Sequence, residues 1–109
     1  MKLSSVGVVI AERELLIFRK TKVSIIVGKP ELFPDGNGYY CPFQIIGFGD
    51  QKVRYAGGED TVQALILALK TIGALLYTSS EGKAGLLSWN DGADLGFPVP
   101  DSIRDLAPP

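Results

Sequence analysis

From Asp60 to Tyr77 the chain places apolar residues at Val62, Leu65, Ile66, Leu69, Ile72, Leu75 and Leu76, the spacing of a helical face. At about 100° per residue Gln63, Lys70 and Thr71 fall on one wet side. Leu67 and Ala74 project between them, so part of the outer side is apolar as well. The arc is wider than one sheet face needs. It predicts a helix covered from more than one direction, by a loop or the C-terminal tail in preference to a self-association surface on Leu67 and Ala74. Asp60-x-x-Gln63 resembles a capping box at the start, and Gly82 is the expected left-handed stop.

Upstream the period shortens. Val8 to Phe18 is aliphatic around Glu12-Arg13-Glu14, Arg19-Lys20-Thr21-Lys22 interrupts, and Val23 to Val27 resumes; the pattern is a hairpin. Gly28 to Gly38, with two prolines and three glycines, reads as a long loop. Tyr39 to Ile46 is extended, and Pro42, which cannot donate to a ladder, predicts an edge position or a bulge. After a turn at Gly47 to Gln51, Lys52 to Ala56 alternates with Val53 and Tyr55 on one side and Lys52 and Arg54 on the other, a half-solvated strand. Gly57-Gly58-Glu59 is expected to break it. Leu86 to Trp89 is a short final strand, Asn90-Asp91-Gly92 a turn, and Leu95 to Leu106 an extended proline-bearing segment with one helical turn capped by Asp101. The sum is an α+β fold, an antiparallel sheet of four to five strands with one long helix packed on one face. Residues 1–109 form a single domain, with 101–109 as a flexible C-terminal tail.

Composition agrees with a globule: 46% of the 109 residues are hydrophobic and 21% charged, which excludes a disordered chain. No membrane span is expected, because Val62 to Tyr77 is short and carries Lys70. Met1 to Ala11 reads as a first strand in preference to a secretory signal. Cys41 is the lone cysteine, so no internal disulfide forms and a reducing cytoplasm is the expected compartment. The net charge of −1 hides an asymmetry: residues 1–54 carry eight bases against five acids, and residues 55–109 three against seven. Such halves either present opposite patches to a protein partner or attract each other within the fold.

Histidine is absent, which removes the usual general base, the commonest metal ligand and every histidine-dependent triad. Cys41, between Tyr40 and Pro42, reads as a buried inert thiol. Asn90 to Asp94 lacks the terminal glutamate of a calcium loop, and turn chemistry accounts for it. Gly57-Gly58 precedes a helix, but Glu59 and Asp60 occupy the positive end that a phosphate would need. Arg19, Lys20 and Lys22 form the one dense basic run, a solvated hairpin tip without the interleaved aromatics of a nucleic-acid surface. No catalytic, cofactor-binding or metal-binding residue is therefore predicted, and neither nucleic acid nor membrane is an expected partner.

At Gly28-Lys29-Pro30-Glu31, Tyr40-Cys41-Pro42, Gly47-Phe48-Gly49-Asp50, Asp60-Thr61-Val62-Gln63-Ala64-Leu65 and Leu95-Gly96-Phe97-Pro98-Val99-Pro100, the chain resembles a family of small bacterial proteins described as a domain of unknown function. The likeness covers most of residues 10–100. It implies a bacterial, single-domain, cytoplasmic protein and carries over no activity, cofactor or catalytic residue. The function expected from the residues themselves is a non-enzymatic protein-binding module, of the immunity or inhibitor type that masks a partner protein. Tyr39, Tyr40, Trp89 and Phe97 are its candidate anchors, and Arg19, Lys20 and Lys22 its candidate steering charges. The alternatives are a homo-oligomeric structural protein, a homodimer burying Leu67 and Ala74, and a small enzyme using carboxylates and tyrosines.

Overall fold

A computed structural model describes residues 1–108, and the strands come first in it. Val9–Ile17 (β1) and Thr21–Gly28 (β2) form the expected hairpin, pairing Ile17 with Thr21 through to Val9 with Gly28. A bulge between Val9 and Ala11 sets the first residues of β1 off the regular ladder. Inside the segment read as a loop lies a two-residue strand, Glu31–Leu32 (β3). It pairs with Tyr39–Tyr40 of Tyr39–Ile46 (β4), while β2 pairs with Phe43 to Ile46 of that strand. Since Arg54–Gly58 (β5) pairs with Tyr39 to Phe43 as well, β5 must hold the other edge of β4. β2 and β3 are thus one line of backbone, interrupted at Lys29-Pro30.

That interruption corrects the expectation for Pro42. β4 is an interior strand without a bulge, and Pro42 falls opposite the break between β2 and β3, where no ladder donor is required. β5 corrects a second expectation. Cys41 and Phe43 face the helix and are fully buried; because Cys41 pairs with Ala56, Ala56 turns inward. Tyr55 therefore turns outward and is 37% exposed, the reverse of the alternation expected. β5 also runs through Gly57-Gly58 instead of stopping there, pairing them with Tyr40 and Tyr39; position 58 needs a glycine because a Cβ would run into the backbone nitrogen of Ala64.

Thr61–Thr78 (α1) descends from the end of β5 across β4 and β5. Asp60 accepts a hydrogen bond from Gln63 N–H at 2.8 Å, and Gln63 Oε1 accepts from Glu59 N–H at 2.7 Å, so the box closes one residue earlier than the usual form. Its sheet side is built of Ala64, Ala68, Ile72 and Leu76, all fully buried. Small residues let it lie close. By length and mean hydropathy alone, 1.5 over 18 residues, α1 could cross a membrane; here a third of that window is buried in the fold, against a sheet. α1 ends at Ser79, whose hydroxyl donates to Leu76 O and accepts from Gly82 N–H to start Ser80–Lys83 (α2). The left-handed stop is Gly85, φ 70°, not Gly82. Leu87–Ser88 (β6) then pairs with Leu16–Ile17 of β1.

The C-terminal segment supplies the predicted second cover. Leu95, 1% exposed, donates its N–H to the Tyr77 hydroxyl at 2.8 Å. Pro98 then crosses α1 at Gly73, where a Cβ would strike the Pro98 carbonyl. A 3-10 helix, Asp101–Leu106, follows, capped by Pro100 without a side-chain hydrogen bond. Asp101 lies inside it, paired with Arg104 at 2.7 Å, so the cap assigned to Asp101 is a local ion pair instead. Of the tail 101–109, Pro109 lies outside the described residues.

Candidate interaction surfaces

Tyr39 is half-buried and packs against the core, whereas Tyr40 points to the opposite face of the sheet. There Phe33, Tyr40 and Tyr55 cluster with ring centroids 5.4 to 6.0 Å apart, Tyr55 meeting the other two edge to face and Phe33 tilted against Tyr40. Phe33 and Tyr55 join this cluster only because β3 and the true register of β5 bring them there. Leu32, which pairs with Tyr39 and so shares that residue's face, is exposed.

Trp89 and Phe97 meet elsewhere. They flank the guanidinium of Arg13, whose central carbon is 3.7 Å from the Trp89 ring centroid and 5.1 Å from that of Phe97. Arg13 Nη1 also donates to the carbonyls of Leu95 at 3.2 Å and Gly96 at 3.1 Å. This cation holds the tail to β1. Arg19 and Lys20 sit exposed in the β1–β2 turn, with Phe18 and Arg19 in left-handed backbone; Lys22 reaches back to Glu14 at 3.2 Å. The seven candidate contact residues are thus spread over four places, with Tyr39 and Tyr40 on opposite faces of the sheet. Leu67 and Ala74 do share one ridge of α1, with Thr71 between them bonding its hydroxyl to Leu67 O at 2.7 Å.

Sequence reasoning missed the end of the molecule where β1 and α1 begin. Val8, Val9 and Ile10 are 65%, 48% and 48% exposed, and Val62 and Ile66 are 62% and 46% exposed. For Val62 and Ile66 the helical spacing carries the signal, but it equally fits the covered arc. At the same end a groove of about 170 Å³ lies between β1, β2, α1 and the tail, lined by Ala11, Glu12, Arg13, Val27, Leu69 and Phe97. Its helix wall continues through Ile66 and Val62, which lie one ridge up from Leu69. The tail fills the same channel below, from Leu95 to Pro98.

A second cavity of about 170 Å³ lies under the β4–β5 loop, between Ile45, Phe48 and Leu75, with Asp50, Lys52, Arg54 and Ser79 around it. The Lys52 amide and, further, the Arg54 and Lys52 charges hold the Asp50 carboxyl below its usual range. The Arg104 guanidinium, then more weakly Lys70, does the same to Asp101. Burial pushes the Cys41 thiol up to about 11, which keeps it protonated. Among the described residues no group of three or more Cys, Asp or Glu is placed to hold a metal ion. Tyr40 and Glu31 line a recess under the N-terminal segment, and Tyr39 and Tyr55 line none of the cavities described here.

The fold defines a two-layer α+β domain whose sheet is covered on one face by a helix and a returning tail. The chain belongs to the family described as a domain of unknown function, DUF6968, whose model matches residues 11–99. No curated protein matches it, and no solved structure does.

Proposed function

We propose that this chain is a non-enzymatic protein-binding module, of the immunity or inhibitor kind that masks a partner protein, working in a bacterial cytoplasm. The observation that carries the reading is the exposure of five large apolar residues, Val8, Val9, Ile10, Val62 and Ile66, at the end where β1 and α1 begin. Large apolar residues exposed together at one end are the kind of surface that marks a contact site. The basic turn at Arg19 and Lys20 lies at the far end of β1 and contributes to encounter by its field, not by contact. A free, buried thiol at Cys41 suits a reducing compartment.

The test is charge insertion. Val62→Lys with Ile66→Lys alters exposed positions, so the melting transition stays at its wild-type place while cross-linked partners from native lysate are lost. Recovery of the same partners at the same yield overturns the assignment. A second reading, self-association through α1, is favoured by Leu67, 39% exposed beside Ile66. Sedimentation of the wild-type chain at high concentration tests it: a monomer removes this alternative.

A further inference from the structure

We infer that the free edge of β1 over Ala11 to Leu15 accepts an extended strand of a partner protein, apolar on the side facing α1 and basic on the other. This rests on the protein-binding reading and names the element the partner contributes. The first support is hydrogen-bond direction. Lys20 N–H donates to Ile17 O within the β1–β2 turn, whereas Phe18 N–H turns away from β2 to Leu86 O. In an antiparallel ladder these directions alternate, so Glu14 and Glu12 present their N–H and C=O groups on the edge away from β2. β6 reaches only Leu16 and Ile17. Among the described residues no backbone partner meets Glu12 or Glu14 on that edge.

The second support is the chemistry on each face beside the edge. Toward α1 lies the groove of Ala11, Val27, Leu69 and Phe97, open where an added strand would place an inward side chain. On the opposite face stand the carboxylates of Glu12 and Glu14, both exposed. Glu14 has one surface ion pair, with Lys22, and Glu12 has none among the described residues. Two acids at alternate positions on one face match lysine or arginine at alternate positions of the incoming strand. A second copy does not fit. Two-fold pairing of β1 with β1 centred on this stretch sets Glu12 against Glu12 or Glu14, a like-charge contact. The bulge at Val9/Ala11 ends the regular edge above Ala11, and Val8 to Ile10 form its apolar rim.

An amide chemical-shift titration of the whole chain tests this with three capped hexapeptides: alternating lysine and valine, alternating glutamate and valine, and the lysine form N-methylated at every other amide. The lysine–valine peptide is expected to move the amides of Ala11 to Leu15, and the methylated and glutamate forms to leave them still. Glu12→Lys with Glu14→Lys, both at exposed positions, should weaken the lysine peptide about tenfold and bring in the glutamate peptide. Glu12→Gln with Glu14→Gln, which leaves no new repulsion, should weaken it by a smaller factor. Shifts confined to the surroundings of Tyr40 and Tyr55, absence of shifts with all three peptides, or concentration-dependent shifts at β1 without peptide overturn the edge assignment. Partner loss in the Val62→Lys/Ile66→Lys chain would then still uphold the protein-binding reading. Unchanged partners in that chain, with the hexapeptide bound as expected, would overturn the apolar end as the contact surface and leave the edge standing.

Discussion

The two halves of the sheet carry different covers. β4 and β5 lie under α1, which satisfies its own backbone groups internally, so the cover needs only small residues to lie close. The lower parts of β1 and β2 lie under the tail, an extended segment with no ladder of its own. Its buried backbone groups borrow partners from side chains: Leu95 N–H from the Tyr77 hydroxyl, and the Leu95 and Gly96 carbonyls from Arg13. Buried backbone groups must be paired in either case. The difference is that the helical cover needs no side chain to pair its backbone groups, while the tail depends on two.

Global unfolding breaks the comparison most strongly on the helix side. Phe43→Ala, beneath α1 and fully buried, should cost about 3–5 kcal/mol in a denaturant titration. Cys41 lies on the same side and adds an alkaline signature. Its thiol keeps its proton up to about 11 in the fold, against 9.0 for an ordinary thiol, so its contribution is whole below the unfolded value and disappears as pH rises through the folded one. Stability should fall by on the order of 2 kcal/mol over that interval, and Cys41→Ala should flatten the slope in titrations near pH 8 and pH 11 (about). On the tail side, Tyr77→Phe leaves the Leu95 N–H buried and unpaired. A loss of about 1 kcal/mol is expected, read as faster hydrogen exchange at Leu95 with little change at Ala64 to Ala68. The smallest effect is at the loop and tail surface: Asp50 and Asp101 titrate below their usual range, so their contribution is present above the unfolded carboxyl value and lost as pH falls through the folded one. Asp50→Asn and the parent chain should differ slightly at neutral pH and converge in acid.

The hairpin, the long helix with its Asp60 cap and the covering tail were legible because each rests on local pattern: alternation, helical spacing and turn residues. What could not be read was register. A one-residue choice decides which of Val53, Tyr55 and Ala56 faces the core, and that choice is set by pairing with Cys41, 15 residues away in sequence. β3 is too short for any periodicity. The contact surfaces suffered for the same reason: Phe33 and Tyr55 reach Tyr40 only through strand pairing, and Val62 and Ile66 are bare only because the tail turns away at Pro98. Leu67 and Ala74, by contrast, were placed on one ridge by helical spacing alone, and the structure keeps them there.

Arg13 between Trp89 and Phe97 has a practical corollary. The chain has a single tryptophan, and its indole lies against a guanidinium whose other bonds pin the returning segment. Emission from that one fluorophore therefore watches a single latch, and peeling of the C-terminal strap should be visible as a colour and intensity change before the rest of the molecule melts.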